Sequence, residues 1–315
     1  MTTTHETEHR ITVDAPPDTV YALLADVAGW PLVFGPTLHV EIAEQTNNSE
    51  KFAIWATAGD AVAHWTSRRT LDPVARRIRF DQQTPRAPLA TMGGEWIVEP
   101  EGDGTLVVLT HDFTMRADST TLPHAVNEVV DANSEAELAA LRRHAEQTEA
   151  ADLVLEFEDT VDIDGSVEAV HDFLWRAERW PDLLPHVVAL ELAEDADGVQ
   201  TMAMEVRNHR GEQHALRSVR VGRPGHRIVY KQLVLPPVAT AHVGEWTVTG
   251  TENGARAVGR HRIALDSAGI AAVLGPDTDL ATAKAAVREA IGGNSRTTLR
   301  RAKETVESLA RAPRT

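Results

Sequence analysis

One stretch of the sequence combines residue types that could bind a reactive oxygen. Residues 62–71 alternate so that Trp65, Ser67 and Arg69 share one face of a predicted strand. An arginine on an inward face stays charged and can hold a carbonyl or enolate oxygen through two N–H groups. The alternative is a surface arginine at a strand end, since charged side chains are mostly exposed. Ser67 has no His–Asp arrangement near it in the sequence, so we predict no acyl-enzyme.

Composition excludes several other chemistries. The 315 residues contain no cysteine, which rules out disulfides, thiolate nucleophiles and cysteine-ligated metals. The formal net charge of −16 is too acidic for a general nucleic-acid binder. The first ten residues have no apolar core, and no run of about 18 apolar residues occurs. We therefore expect a cytoplasmic protein that neither binds nucleic acid nor spans a membrane.

An internal repeat divides the chain into two copies of one domain. A shift of 150 positions superimposes two tryptophan motifs and several polar residues, after which the second copy carries 11 extra residues before its last helix segment. Each copy is domain-sized, which indicates duplication rather than a short solenoid repeat. We predict an N-terminal domain over 1–150 and a C-terminal domain over 151–315. The matched positions include Trp30-Pro31 with Trp180-Pro181, Gly94-Glu95-Trp96 with Gly244-Glu245-Trp246, His111 with His261, and Asn133-Ser134 with Asn294-Ser295.

The pattern within each copy predicts the elements that position these residues. In the first copy a short strand at 9–14 precedes a helix at 18–27, which Trp30-Pro31 should end. Six strand-like runs separated by turn residues follow, and a helix over 122–149 closes the unit. This order predicts an α+β fold, in which a curved seven-stranded antiparallel sheet wraps on the long helix with a pocket between them. The expected apolar side of that helix carries Val126, Val129, Val130, Leu138 and Leu141.

The motifs in this order resemble the aromatase/cyclases of bacterial type II polyketide synthases, in the Bet v 1/START-like helix-grip superfamily. The tandem arrangement is similar to the di-domain subclass. The resemblance implies a first-ring (C7–C12 type) aldol cyclisation, dehydration to an aromatic ring, or both, on a poly-β-ketone bound to an acyl carrier protein. It also implies no cofactor, no metal, and other synthase components as partners. The segments that carry it are 26–31, 65–69, 92–96 and 111–113 in the first copy, and 179–181, 217–220 and 244–246 in the second.

The resemblance also assigns residues to the first pocket. Arg69 would steady the enolate, Ser67 would bond a substrate carbonyl, and His111 would transfer protons near neutral pH. Core packing is the alternative for His111 and for the aromatic side chains, and helix capping is the alternative for Asn133. The other expected pocket residues are Trp30, Phe34, Trp65, Met92, Trp96 and Asn133.

The second pocket depends on the register of one strand. A strict shift of 150 aligns Arg69 with Val219, whereas one more residue aligns it with Arg220. A slip of one residue reverses the face that points inward. We favour the shifted register because it also places His214 and Leu216 inward. The expected pocket residues are Arg220, Ser218, His214, His261, Trp180, Trp246 and Asn294.

Two functions without turnover are alternatives: a carrier of lipids or other hydrophobic ligands, and a regulatory START-like protein. A carrier pocket should be mostly apolar, so Ser67, Arg69 and His111 favour an enzyme. The two domains could divide folding and dehydration of the substrate, or one could only brace the other. Docking of an acidic carrier protein requires local basic surface, for which arginines of the closing helices such as Arg142-Arg143 are candidates.

Overall fold

The computed structural model contains two compact units, Met1–Ala150 and Ala151–Thr315. It describes residues 3–58, 61–147, 152–207, 211 and 213–311. Each unit contains a seven-stranded antiparallel sheet followed by a long helix, which confirms the predicted α+β helix-grip class. Within the described ranges no helix is both long and apolar enough to cross a membrane.

The first unit builds its sheet almost entirely from consecutive hairpins. Strands β2 to β7 pair in sequence order, and β1 joins the far edge by pairing with β7. The short helices α1 and α2 connect β1 to β2, which lie at opposite edges of the sheet. The elements are β1 (Thr4–Val13), α1 (Pro17–Ala25), a 3₁₀ turn (Val27–Gly29), α2 (Trp30–Val33), β2 (Thr37–Gln45), β3 (Ser49–Ala58), β4 (Ala61–Asp72), β5 (Arg77–Gln82), β6 (Leu89–Glu101), β7 (Gly104–Met115) and α3 (Pro123–Ala145).

The second unit repeats this order and adds one helix. Its sheet runs β8-β14-β13-β12-β11-β10-β9, and the predicted insertion forms α6 together with an earlier start of the closing helix. The Asp266 side chain caps α6 by accepting from the Ala268 N–H. The elements are β8 (Val154–Ile163), α4 (Val167–Trp175), a 3₁₀ turn (Ala177–Arg179), α5 (Trp180–Leu183), β9 (Val187–Glu194), β10 (Val199–Arg207), β11 (Gln213–Arg223), β12 (Arg227–Gln232), β13 (Ala239–Thr251), β14 (Gly254–Leu265), α6 (Ser267–Leu274) and α7 (Leu280–Arg311).

The first closing helix, predicted over 122–149, spans Pro123–Ala145, and two asparagines lie elsewhere along the closing helices than we expected. Asn133 and Asn294 lie in the middle of α3 and α7, so neither asparagine caps a helix. Asn133 is exposed and Asn294 only partly buried, which contradicts the pocket position expected for Asn133. Val129 is also exposed, at 59%. The buried stripe of α3 repeats at helical spacing instead, through Val130, Ser134, Leu138 and Leu141.

The Gly-Glu-Trp motif has a packing explanation in both units. A Cβ on Gly94 would collide with the Thr110 carbonyl oxygen and the Phe80 ring, and one on Gly244 would collide with the Tyr230 ring. Glycine therefore lets the aromatic ring of the neighbouring strand lie flat across the sheet. Two residues later, Trp96 is buried in the hydrophobic core. The motif thus sets the position of Phe80 in one unit and of Tyr230 in the other.

Candidate active site

Strand β4 alternates as the sequence indicated. Ser67 and Arg69 are buried, whereas Arg68 and Thr70 are exposed. Arg69 is 1% exposed, and its cross-strand neighbours are Glu50 on β3 and Phe80 on β5. The structure therefore places this guanidinium on the core-facing side of the sheet, away from bulk solvent.

Every nitrogen of Arg69 already has a partner. Its Nε and Nη2 lie 2.7 Å from a carboxylate oxygen of Glu50, and its Nη1 donates to the Leu24 carbonyl oxygen at 2.8 Å. Nη2 also donates to the carbonyl oxygen of Ala25. These carbonyls end helix α1, where a cation is favourable because they lack partners within the helix. Burial lowers the pKa of Arg69, and the hydrogen bond to Glu50 opposes that shift.

Strand β11 adopts the shifted register that we favoured. Arg220 lies opposite Gln200 and Tyr230, as Arg69 lies opposite Glu50 and Phe80. The segment from Gln200 to Arg220 is one residue longer than the segment from Glu50 to Arg69. The segment from Arg220 to Tyr230 is one residue shorter than the segment from Arg69 to Phe80. Ser218 is buried on the same side. His214 is exposed, contrary to expectation, because it is the second residue of β11 and lies next to the hairpin.

Arg220 has a different set of partners from Arg69. Its Nη2 donates to the Leu174 carbonyl oxygen, and the rings of Trp175 and Trp180 lie 5.4 and 5.2 Å from its guanidinium carbon. Gln200 stands where the first unit has Glu50, and within the described ranges Nε and Nη1 of Arg220 bond to no group. Burial lowers the pKa of Arg220 to about 10, so it stays protonated at neutral pH. This is a buried cation with two donors unused, an arrangement that proteins normally avoid.

His111 lies between β7 and the closing helix of the first unit. Its Nδ1 is 3.5 Å from Ser134 Oγ, a weak contact, and its ring meets the Phe80 ring edge-on. The neighbouring His9 Nε2 is 3.0 Å from Asp131. Burial lowers the pKa of His111 to about 4, which keeps the imidazole neutral near pH 7.

In the second unit the expected His261 forms a polar cluster with two side chains that the sequence did not point to, Tyr230 and His242. Tyr230 Oη lies 3.0 Å from His261 Nδ1, and His242 Nε2 lies 3.2 Å from the same nitrogen. In the first unit the positions of Tyr230 and His242 carry Phe80 and Met92. A comparison of the two copies by chemical type, rather than by identity, would have exposed this difference.

Burial governs the protonation of that cluster. It lowers the pKa of His242 to about 3 and of His261 to about 4, so both imidazoles are neutral near pH 7. It also raises the pKa of Tyr230, whose phenol keeps its proton. Nearby, Arg288 on α7 bonds Asp159 on β8 at 2.7 Å and stacks on Phe157, which in turn stacks on His261.

The remaining expected pocket residues are mostly core. Phe34 and Trp96 are buried in the first core cluster, and Trp180 and Trp246 in the second. Trp30 donates from Nε1 to the Leu24 carbonyl oxygen at 3.2 Å, so the Trp-Pro corner also secures the end of α1. Partial exposure remains at Trp30, Trp65, Phe80, Met92, His111 and Tyr230.

Two surface hollows occur in the second unit. One, of about 350 Å³, lies between α4 and the end of α7, and the other, of about 440 Å³, lies beside Asp162 and Arg256. Neither is lined by Arg220 or Tyr230. No group of three or more acidic or histidine side chains in the described ranges could hold a metal ion.

Two tandem units of one helix-grip fold, each with a buried arginine on its sheet, define the class of protein, and comparisons with known proteins identify the family. The family described as polyketide cyclase / dehydrase and lipid transport matches residues 4–146 and 154–307, so the chain belongs to it. The granaticin polyketide synthase bifunctional cyclase/dehydratase of Streptomyces violaceoruber is 42% identical over 308 residues, covering 97% of this chain and 95% of that protein.

Two further comparisons agree over the whole length. The actinorhodin polyketide synthase bifunctional cyclase/dehydratase of Streptomyces coelicolor is 42% identical over 309 residues, covering 95% of this chain and 96% of that protein. The crystal structure of the di-domain ARO/CYC BexL from the BE-7585A biosynthetic pathway matches with a TM-score of 0.85 and 43% identity, covering 96% of this chain and 99% of that chain. The predicted resemblance is confirmed: this protein is an enzyme of the polyketide cyclase/dehydratase type.

Proposed function

We propose that the enzyme promotes the first-ring (C7–C12 type) aldol cyclisation of a poly-β-ketone bound to an acyl carrier protein, and the dehydration that makes the ring aromatic. The observation that supports this most is a pair of nearly fully buried guanidiniums, Arg69 and Arg220, on the core-facing side of the two sheets. Methylenes between ketones are acidic, so the main tasks are to hold one chain conformation and to stabilise enolate and alkoxide oxygens. A fixed buried cation performs the second task.

The two arginines would act differently. Among the described residues, Nε and Nη1 of Arg220 and the hydroxyl of Ser218 have no partner, so all three can donate to a substrate oxygen from the same strand face. Arg69 is held by Glu50, so it would contribute positive charge from the wall of the first pocket. Ser67 and His111 supply the other polar groups there, and the partly exposed Trp30, Trp65 and Met92 supply apolar surface for the ketone chain.

The names of two relatives support a carrier-bound substrate, since the granaticin and actinorhodin enzymes are both named as parts of polyketide synthases. An acidic enzyme requires local positive surface to meet an acidic carrier protein. Arg142 and Arg143 are exposed in the last turn of α3 and are the docking candidates in the first unit. In the second unit Arg296 and Arg301 pair with Glu289 and Glu304, which reduces their availability.

The test is reconstitution with a minimal polyketide synthase, with and without a ketoreductase. Adding the wild-type enzyme should divert shunt products to a single first-ring aromatic product. Arg69→Met and Arg220→Met should each lower its yield, and the larger loss is expected for Arg220 because its donors are free. Binding of a polyketide analogue with an unchanged product profile would instead support a carrier.

A further inference from the structure

The two units differ most in the polarity of one patch of their sheets. In the second unit Tyr230, His242 and His261 contact one another, whereas the first unit has Phe80, Met92 and His111 at those positions. Tyr230 is also the cross-strand neighbour of Arg220. Directly opposed residues in a sheet have Cβ atoms about 5 Å apart, so the phenol and the guanidinium can reach the same small part of a ligand.

The protonation of the cluster follows from its contacts. A neutral imidazole carries one proton, and His261 Nδ1 has two polar neighbours while its Nε2 bonds to no described residue. Leaving a buried N–H without an acceptor is less favourable than leaving a lone pair without a donor. The proton therefore belongs on Nδ1, from which it can be donated to Tyr230 Oη. The phenol proton is then free to point toward a ligand, and Nε2 is a free base.

We propose that Tyr230 is the proton donor for the elimination of water, with His261 as the base, so that dehydration belongs to the second unit. This rests on the proposed function. His261 Nε2 takes a proton from the carbon beside a ketone, leaving an enolate whose oxygen Arg220 holds. As the carbon–oxygen bond breaks, the hydroxyl takes the Tyr230 proton and departs as water, and the enolate electron pair forms the new double bond.

A proton transfer between Tyr230 and His261 neutralises both catalytic groups after the elimination. After elimination Tyr230 is a phenolate beside a His261 imidazolium, 3.0 Å apart. The Nδ1 proton moves to Tyr230, which leaves both groups neutral, and the substrate has lost one water. His261 then carries its proton on Nε2, and exchange of that proton with solvent after product release returns it to Nδ1 for the next turnover. The other charged groups near the cluster, Asp159 and Arg288, are paired with each other at 2.7 Å and so add little net charge.

His242 is a positioning residue in this scheme. Its Nε2 lies 3.2 Å from His261 Nδ1 and holds the imidazole against the Tyr230 ring. The Gly244 backbone lies directly beneath the same ring, which fixes the phenol from the other side.

The decisive variant is Tyr230→Phe, because Phe80 shows that a phenylalanine fits this position of the fold. In the reconstituted assay it should still give first-ring cyclised material but accumulate the undehydrated β-hydroxy ketone, with dehydration slowed by about 100-fold or more. The matched control is Tyr21→Phe, which removes the protein's other phenol, a hydroxyl in the first unit. That control should dehydrate at the wild-type rate.

The outcomes separate the two proposals. If the wild type gives no cyclised aromatic product, the proposed function fails. If the wild type works and Tyr230→Phe dehydrates within about threefold of it, the inference is overturned while the function stands. Loss of cyclisation and dehydration together in a folded Tyr230→Phe enzyme would also overturn it.

Positioning by His242 has its own readout. His242→Met, which copies Met92, should lower kcat for dehydration of an isolated β-hydroxy ketone by about 10-fold and leave KM unchanged. His242→Gln retains a hydrogen-bond acceptor for the His261 Nδ1 proton and should recover part of that loss. A change in KM alone, or equal kcat for the two variants, would contradict the assignment.

Discussion

At the level of single residues, a buried arginine has two different uses in this protein. Arg69 secures the carbonyl end of α1 and is neutralised by Glu50, whereas Arg220 bonds one carbonyl of α4 and has two nitrogens that no described residue contacts by a hydrogen bond. Two cross-strand neighbours are exchanged between the units: Gln45 donates to Glu50 in the first, and Gln200 donates to Glu194 in the second, so no carboxylate stands opposite Arg220 on that strand. An uncompensated buried charge is unfavourable for folding, so its retention in the second unit fits a functional role.

The double change Gln200→Glu with Glu194→Gln should give Arg220 the partner that Arg69 has, since Gln200→Glu alone would place two carboxylates against each other. We expect the second unit to become more stable by about 2 kcal/mol, through a charge-assisted hydrogen bond, and the yield of aromatic product to fall because the free donors are now occupied. Urea denaturation and the reconstituted assay measure the two effects. Gln213→Glu, at an exposed position of β11, is the control. A variant that is both less stable and fully active would contradict this account.

The reverse change, Glu50→Gln, should destabilise the first unit by about 3 kcal/mol because it leaves Arg69 without its countercharge. Glu44→Gln is the comparison, since Glu44 pairs with Lys51 and Arg68 at the surface. Exposed pairs contribute about 0–1 kcal/mol. Urea denaturation midpoints of the two variants measure both losses of stability. Similar midpoints for the two variants would show that Glu50 does not compensate Arg69.

At the level of elements, the sheet–helix arrangement depends on close approaches that only glycine permits. Gly94 lies under the Phe80 ring and against the Thr110 carbonyl, and Gly244 lies under the Tyr230 ring. The end of α1 is held by both Arg69 and Trp30, which donate to the same Leu24 oxygen. In the second unit the end of α4 is held in a similar way, by Arg220 on the Leu174 oxygen and by Trp180 on the Phe173 oxygen.

Gly94→Ala should therefore destabilise the first unit by about 1–3 kcal/mol, since the added methyl group must displace backbone as well as the Phe80 ring. Gly35→Ala has open space around the new methyl group and should change stability by less than about 0.5 kcal/mol. Thermal denaturation compares the two. Equal effects would mean that the strands around Gly94 can separate easily.

At the level of the whole molecule, buried neutral histidines link stability to pH. The folded pKa values of His111, His242 and His261 are about 4, 3 and 4, below the ordinary value of 6.5. Below pH 6.5 the unfolded chain therefore binds more protons than the folded one, and folding weakens as the pH falls. Above pH 6.5 these histidines add no pH dependence.

The unfolding free energy should fall between about pH 6.5 and 4, by up to about 1.4 kcal/mol per pH unit for each of these histidines. His242→Met removes one of them and should flatten that slope. His124→Met, at an exposed position of α3, should leave the slope unchanged. Denaturant midpoints from pH 7 to pH 4.5 provide the measurement. Parallel profiles for wild type and His242→Met would show that folding does not lower the pKa of His242.

The sequence alone determined the architecture and the faces of the central strands. Repetition of a domain-sized pattern, and a period of two around Arg69, depend only on local geometry and on the burial of apolar residues. Those features correctly predicted two helix-grip units, the inward side of β4 and the shifted register of β11. The prediction that Asn133 lines the pocket was wrong, because the sheet that a long helix covers decides which of its side chains face inward.

Only the tertiary structure decided which polar groups meet. Arg69 bonds residues 19 and 45 positions away, and Tyr230 meets His261 across 31 positions. Such contacts depend on strand register and on where a helix ends against the sheet, which local patterns do not specify. These long-range contacts give Arg69 a carboxylate partner and leave two nitrogens of Arg220 without a partner among the described residues, although the two arginines look equivalent in the sequence.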